Sequence, residues 1–197
     1  MTISRRELLV ASTTMAAGGG AALALTSCGG GSSKRKKVET VSEEQAMGDA
    51  VTLGTLLDLE RAAIAGYGVA AGKLHGEALR TAREFEAHER EHAAALERTI
   101  RTLGGTPAPQ RPADEYLSTF PRLRGKRDAL SFALDLETTA VAAYADALPK
   151  LVTDGVRAAL GAILTTEAEH AAVLLGELGR PQVPQPFVTG PPPEEEG

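Results

Sequence analysis

The chain repeats one arrangement of residues whose side chains bind metal ions. A glutamate is followed by a Glu-x-x-His motif, 29 positions later in the first copy and 30 positions later in the second. The residues are Glu60, Glu89 and His92, then Glu137, Glu167 and His170. At Glu-x-x-His spacing the two side chains are neighbours on one helix face, so each motif can bind one ion. Four glutamates and two histidines in this order predict a helical bundle that binds two metal ions.

Apolar residues at helical spacing predict the four helices that carry these side chains. The first helix begins after Ser42, because Ser42-Glu43-Glu44-Gln45 fits a capping box. The predicted limits are about 43–75 for the first helix, about 103 for the end of the second, 126–148 for the third and 154–179 for the fourth. In every helix the glutamate falls within the apolar stripe. The carboxylates are therefore predicted to lie in the core.

The connections between the helices predict the topology. The links within each pair are short, which makes each pair an antiparallel hairpin. The link from 104 to 125 is long and contains four prolines, at 107, 109, 112 and 121. It is long enough to run the length of the bundle. The predicted fold is all-α, an up-down four-helix bundle with a long crossover between the second and third helices.

The charge of the predicted core favours bound cations. An unpaired ionised carboxylate is costly to bury. Two divalent cations would balance the four carboxylates, and the two imidazoles would act as additional donors. This ligand set accepts iron and manganese alike.

These residues resemble the ferritin-like di-iron carboxylate superfamily over 43–180, with a rubrerythrin-like ligand pattern and the closest likeness to exported bacterial ferritin-like lipoproteins. The resemblance implies that Glu89 and Glu167 bridge two iron or two manganese ions. It further implies redox chemistry with dioxygen or peroxide, of the ferroxidase, peroxidase or catalase kind. An enzymatic role stays open, since a non-catalytic metal-binding or interaction module of the cell envelope is the alternative.

Two further features near the motifs have competing interpretations. His88-Glu89-x-x-His92 also spells a zinc metallopeptidase helix, which is the less favoured alternative because the second copy has Thr166 in place of His88. Tyr67 and Tyr144 each lie seven residues past a glutamate, on the same face. They could donate hydrogen bonds close to the metals, although we expect core tyrosines bonded to backbone carbonyls.

The N-terminal segment predicts export and lipidation. Arg5 and Arg6 precede an apolar stretch, as in a Tat-type signal, and Leu-Thr-Ser-Cys ending at Cys28 resembles a lipobox. We therefore expect a signal peptide at 1–27, a lipidated cysteine with a flexible basic tether at 28–42, the bundle at 43–180 and a disordered tail at 181–197. The expected location is the extracytoplasmic face of the bacterial cell membrane.

Charge and cysteine content limit the partners. The net charge is −5, and removal of 1–27 changes it to −6, which argues against binding nucleic acid. Cys28 is the only cysteine, so lipidation would leave none for an iron–sulfur site or a disulfide. The expected partner is the membrane, through the lipid at Cys28. The sequence predicts neither the electron donor nor whether the chain forms a homodimer.

Overall fold

The computed structural model describes residues 41–184 and 186, and these residues form helices without any strand. The helices are α1 (Glu43–Ala71), α2 (Gly76–Thr102), α3 (Ala113–Leu117), α4 (Lys126–Ala147) and α5 (Asp154–Glu177). A 3-10 turn, Leu148–Lys150, follows α4. The predicted all-α class is confirmed. Arg5, Arg6, Cys28 and all but five residues of the predicted tail lie outside the described residues.

The four long helices form the predicted bundle. Helix α1 packs along α2, α4 packs along α5, and α1 also packs against α4. The capping box at the start of α1 is present, since Ser42 Oγ accepts from the Gln45 amide at 3.2 Å and Gln45 Oε1 accepts from the Ser42 amide at 2.9 Å. Just past α2 and α5, Gly104 and Gly179 have φ values of +85° and +72°. Glycine adopts this left-handed backbone without strain, which explains why the helices end there.

The crossover contains a short helix that the sequence analysis did not predict. Tyr116 of α3 is buried and donates a hydrogen bond to Asp58 Oδ1 at 2.8 Å. Arg111 binds both oxygens of the same carboxylate, at 3.0 and 2.6 Å. Nearby, Arg61 of α1 donates to the carbonyl of Ala108 at 2.8 Å. The crossover is thus attached to α1 by charged hydrogen bonds rather than crossing as an unstructured link.

The apolar core consists of two clusters, one on each side of the level at which the repeated motifs meet. One cluster includes Tyr67, Phe85 and Leu130, and the other includes Leu57 and Tyr144. Both clusters receive side chains from α1, α2, α4 and α5. Apolar packing on both sides keeps water away from the polar layer between the clusters and holds the four helices at fixed separations. Helix α5 is long and apolar enough to span a membrane by composition, but its apolar residues form part of this core.

One buried carboxylate fixes the connection between α4 and α5. Asp49 of α1 is 2% exposed and accepts the backbone amides of Val152 and Thr153, at 3.1 and 2.9 Å. Buried backbone N–H groups need an acceptor, and a charged acceptor forms a strong hydrogen bond. Asp49 therefore holds the start of α5 against the start of α1.

We expect Asp49→Ala to lower the free energy of unfolding by about 1–3 kcal/mol, because two buried amides lose their acceptor. Urea denaturation followed by circular dichroism measures the change. Asp146→Ala is the matched control, because Asp146 is 73% exposed and, within residues 41–184, forms an ion pair with Lys150 alone. It should change stability by no more than about 0.5 kcal/mol. Equal effects of the two substitutions would contradict the role of Asp49.

Candidate metal centre

The six repeated side chains meet at the middle of the bundle. Helix α1 contributes one glutamate and α4 another, while α2 and α5 contribute one Glu-x-x-His motif each. All four carboxylates are at most 1% exposed, and His170 is 3% exposed. The side chain of His92 is 12% exposed, so this imidazole alone among the six has appreciable contact with solvent. The structure thus brings together every residue that the sequence analysis selected as a ligand.

The six side chains form two overlapping groups of four. One group is Glu60, Glu89, His92 and Glu167, and the other is Glu89, Glu137, Glu167 and His170. Within each group the potential ligand atoms lie within 4.8 Å of one another. Glu89 and Glu167 belong to both groups. This overlap is the arrangement that two bridging carboxylates between two ions require.

Both imidazoles present the same nitrogen to the carboxylates. His92 Nδ1 lies 2.9 Å from Glu167 Oε1 and 3.3 Å from Glu89 Oε2. His170 Nδ1 lies 3.3 Å from Glu89 Oε1 and 3.3 Å from Glu137 Oε2. Nδ1 is therefore the nitrogen placed to bind an ion in each half of the cluster.

Several carboxylate oxygens of the cluster have no donor at hydrogen-bond geometry within the described residues, although an imidazole nitrogen lies close to some of them. They are Glu60 Oε2, Glu89 Oε1 and both oxygens of Glu167. A buried oxygen without a donor costs free energy, so native proteins satisfy nearly all such atoms. Metal ions would satisfy them directly, and carboxylate oxygen with imidazole nitrogen is a suitable donor set for iron or manganese. The residues present therefore fit a pair of such ions.

Without metal ions the cluster must balance its charge with protons. Burial opposes a charged imidazole, but Glu167 and Glu89 outweigh it and raise the pKa of His92 to about 9. Glu137 and Glu167 likewise overcome burial and raise the pKa of His170 to about 11. Burial also opposes ionisation of Glu167, yet the adjacent imidazoles of His170 and His92 hold its pKa at about 2. Two imidazolium ions thus stand where metal ions would provide positive charge.

The two carboxylates that belong to only one group each, Glu60 and Glu137, favour the protonated form. Burial is the main cause for both, and it raises the pKa of Glu60 and that of Glu137 well above the usual range. The nearby charges of Glu89 and Glu167 add to this effect. A cation placed between these groups would oppose the upward shift, because a nearby positive charge favours the ionised carboxylate.

Each tyrosine at the cluster donates to a glutamate of the other half of the repeat. Tyr67 of α1 donates to Glu137 of α4, and Tyr144 of α4 donates to Glu60 of α1. Both tyrosines are fully buried, and burial together with the facing carboxylate raises the pKa of each hydroxyl well above its usual value. The expectation of a backbone carbonyl partner was therefore wrong. The hydroxyls thus orient Glu137 and Glu60, the two carboxylates that belong to only one group of four each.

His88 does not lie where a zinc peptidase would need it. Its Nδ1 lies 2.9 Å from Nε2 of His170, across the bundle on α5. His92 presents its Nδ1 to the glutamates instead, and His88 belongs to neither group of four. The zinc interpretation requires both histidines of α2 on one ion. The observed geometry does not provide that arrangement within the described residues.

Two residues of α2, Phe85 and Glu86, make contacts that the sequence did not predict. The Phe85 ring stacks on the His170 ring, with the centroids 3.9 Å apart and the planes at 22°. Glu86 is buried, and it accepts from Arg83 and Arg90, at 2.6 Å in each case. Phe85 lies on the apolar side of α2, but helical spacing alone does not identify the ring that it contacts.

Comparison with known proteins places this arrangement in a family. The sequence profile of the ferritin-like domain matches residues 41–180. The chain therefore belongs to the ferritin-like domain family. No curated protein matches it.

Seventeen chains of solved structures match the fold. A ferritin-like, diiron-carboxylate protein from Bacillus anthracis str. Ames is 22% identical over 68% of this chain and 97% of its own, with a TM-score of 0.56. A conserved hypothetical protein from Mycobacterium tuberculosis is 19% identical over 77% of this chain and 100% of its own, with a TM-score of 0.61. At these identities the likeness shows the fold alone.

We expect metal affinity to increase with pH. The pKa values of His92 and His170, about 9 and 11, lie above 7, so each imidazole must lose a proton before its Nδ1 can bind an ion. Each ion then displaces at least one proton, and its apparent affinity should rise about tenfold or more per pH unit between pH 6 and 8. Calorimetric titration with Mn²⁺ in buffers of different ionisation enthalpy measures the affinity and the released protons. An affinity independent of pH would contradict this protonation scheme.

Removal of either buried tyrosine hydroxyl should weaken metal binding. We expect Tyr67→Phe and Tyr144→Phe each to lower the affinity by about 10–100-fold, because the carboxylate that each hydroxyl holds loses its orientation. Tyr116→Phe is the control, because it removes a hydroxyl from Asp58, which is outside the cluster. It should leave metal affinity unchanged. Titration of the three variants with Mn²⁺ tests the difference, and an equal loss in Tyr116→Phe would contradict it.

Proposed function

We propose that the protein binds a pair of iron or manganese ions and uses them for redox chemistry with dioxygen or peroxide. The observation that carries this proposal is the overlap of the two groups at Glu89 and Glu167. A site for a single ion has no need of two four-residue groups with two members in common. The ferritin-like fold is consistent with the proposal, because such bundles build two-metal sites from glutamates and Glu-x-x-His motifs.

Each residue of the cluster has a defined role in this proposal. The two carboxylates common to both groups, Glu89 and Glu167, would be shared by the two ions. Glu60 and His92 would complete one position, and Glu137 with His170 would complete the other. The bound metal pair would supply and accept the electrons of the reaction. Four carboxylates and two divalent ions are together neutral, which makes this charge distribution suitable for a buried site.

The surrounding residues would prepare the site for this chemistry. The two apolar clusters exclude water above and below the polar layer, which strengthens the interactions within it and protects reactive species from side reactions. Tyr67 and Tyr144 hold the outer carboxylates by their hydroxyl protons. The partly exposed His92 marks the side from which a small oxidant or a proton can reach the cluster.

The N-terminal sequence supports a location for this activity. Arg5 and Arg6 indicate a Tat-type signal, and Cys28 indicates a lipid anchor. Export by the twin-arginine route carries folded proteins, so the ions could be inserted in the cytoplasm before export. We include in the proposal that the protein is anchored at the extracytoplasmic face of the bacterial membrane.

The test is the metal content and reactivity of the full-length protein. Protein isolated from cells supplied with iron and manganese should contain about two of these ions per chain, measured by inductively coupled plasma mass spectrometry. Addition of peroxide or dioxygen to the reduced protein should change its absorption spectrum. A folded protein with two bound ions but no reaction with either oxidant would favour the non-catalytic alternative. A folded protein that binds no such ions would overturn the proposal.

Substitution of a shared carboxylate separates this site from adventitious binding. We expect Glu89→Gln to lose the paired ions, because both positions depend on Glu89. Glu84→Gln removes an exposed carboxylate from the same helix and should keep two ions per chain. Retention of both ions by Glu89→Gln would exclude Glu89 as a bridging ligand.

A further inference from the structure

The two copies of the repeat have different residues at two positions next to the cluster. Residue 88 precedes the first Glu-x-x-His motif and residue 166 precedes the second, and these residues are histidine and threonine. Four positions before each motif glutamate stand Phe85 and Ile163. The ligands themselves are the same in both copies. Any difference between the two halves must therefore come from such neighbouring residues.

The residues at these two positions in the first copy, His88 and Phe85, both contact His170. His88 Nδ1 lies 2.9 Å from His170 Nε2, and the two rings stack with their centroids 5.1 Å apart and their planes at 11°. Phe85 stacks on the His170 ring and is itself 6% exposed. When His170 Nδ1 binds an ion, Nε2 carries a hydrogen, and His88 Nδ1 is placed to accept it. The orientation and the tautomer of His170 are thus determined by residues of α2.

Among residues 41–184 and 186, His92, the equivalent histidine of the first motif, lacks both a hydrogen-bond partner at Nε2 and a stacked phenylalanine. Within the described residues, His92 Nε2 has no hydrogen-bond partner, and the His92 side chain is 12% exposed. Thr166, which takes the place of His88 in the repeat, directs its hydroxyl to the carbonyl of Ala162 in its own helix, at 3.4 Å. Ile163 offers no aromatic ring for stacking. Among the described side chains, His92 therefore has polar contacts at Nδ1 alone, whereas His170 has polar contacts at both ring nitrogens.

We propose that the two metal positions are unequal and that His88 is the positioning residue that makes them so. The position of Glu137 and His170 binds the first ion tightly. The position of Glu60 and His92 binds the second ion more weakly and exchanges it with solvent. This inference rests on the proposed two-metal function, and it adds an order of filling that identical ligand sets alone would not produce.

The physical basis is the cost of ordering a ligand. A ligand histidine that is already held by a partner at its other nitrogen loses less freedom when it binds a metal ion, and the partner increases the basicity of the coordinating nitrogen. Loss of such a partner typically reduces metal affinity by about 10–100-fold. The buried ring stack on His170 also limits solvent access, whereas exposure at His92 allows water to compete for the ion.

The experiment is a stepwise titration of the full-length, metal-free protein with Mn²⁺ under anaerobic conditions. Electron paramagnetic resonance measures free Mn²⁺ and distinguishes isolated ions from magnetically coupled pairs. In the unmodified protein, the first equivalent should bind at least about tenfold more tightly than the second, and the coupled signal should appear only during the second equivalent. His88→Thr, which introduces the residue of the other copy, should weaken the first step by at least about tenfold, so that the affinities of the two steps become similar.

A rescue variant separates positioning from general structural damage. The side-chain amide of His88→Asn reproduces the location of Nδ1 and can accept from His170 Nε2, so this variant should recover tight first-step binding. His88→Gln places its amide nearer the position of Nε2 and should not. His75→Thr, which changes an exposed histidine, should titrate like the unmodified protein.

The outcomes distinguish this inference from the proposed function. Two bound ions with equal affinities, or a first step unaffected by His88→Thr, would overturn the inference while the two-metal proposal stands. An equal loss of first-step affinity in His88→Asn and His88→Gln would overturn the positioning role of His88. Failure of the folded, unmodified protein to bind two ions would overturn both.

Discussion

Four carboxylates at the centre of a small bundle are the constraint on which the rest of the structure depends. They are at most 1% exposed, so solvent cannot balance their charge. Two imidazolium groups and protonated carboxylic acids can do so, and so can two divalent ions. The unpartnered oxygens of Glu60, Glu89 and Glu167 indicate that protons alone satisfy the cluster incompletely. The apolar clusters on both sides increase the need for bound cations, because they prevent water from forming hydrogen bonds with these oxygens.

Each copy of the repeat provides side chains that complete the contacts of the other copy. Every group of four draws ligands from both copies, and each tyrosine donates across to the opposite copy. A single copy would expose its carboxylates and leave its tyrosine hydroxyl without this partner. The crossover brings the copies together, and its attachment to Asp58 and Arg61 fixes its path along α1. The cluster and the topology thus both depend on the two copies of the repeat.

Sequence reasoning predicted the helices and the six residues of the cluster because both follow from spacing within one helix. Apolar residues and glutamates on the same stripe identify a buried face, and glycine identifies the ends of α2 and α5. Contacts between helices were not predicted in the same way. The partners of Tyr67 and Tyr144 lie 70 and 84 positions away, and His88 contacts His170 over 82 positions. Helix α3 was missed because a five-residue helix has too few turns to show a period, and its buried Tyr116 depends on Asp58, 58 positions away.

The most direct test of the central claim is anomalous X-ray diffraction from crystals of the protein grown with Mn²⁺ or Fe²⁺. The account predicts two anomalous peaks within the bundle, about 3.5–4 Å apart, as in other two-metal sites. Both ions should contact Glu89 and Glu167, one should also contact Glu60 and His92, and the other Glu137 and His170. A single peak, a peak bound by His88 and His92 together, or peaks only at the surface would contradict the account.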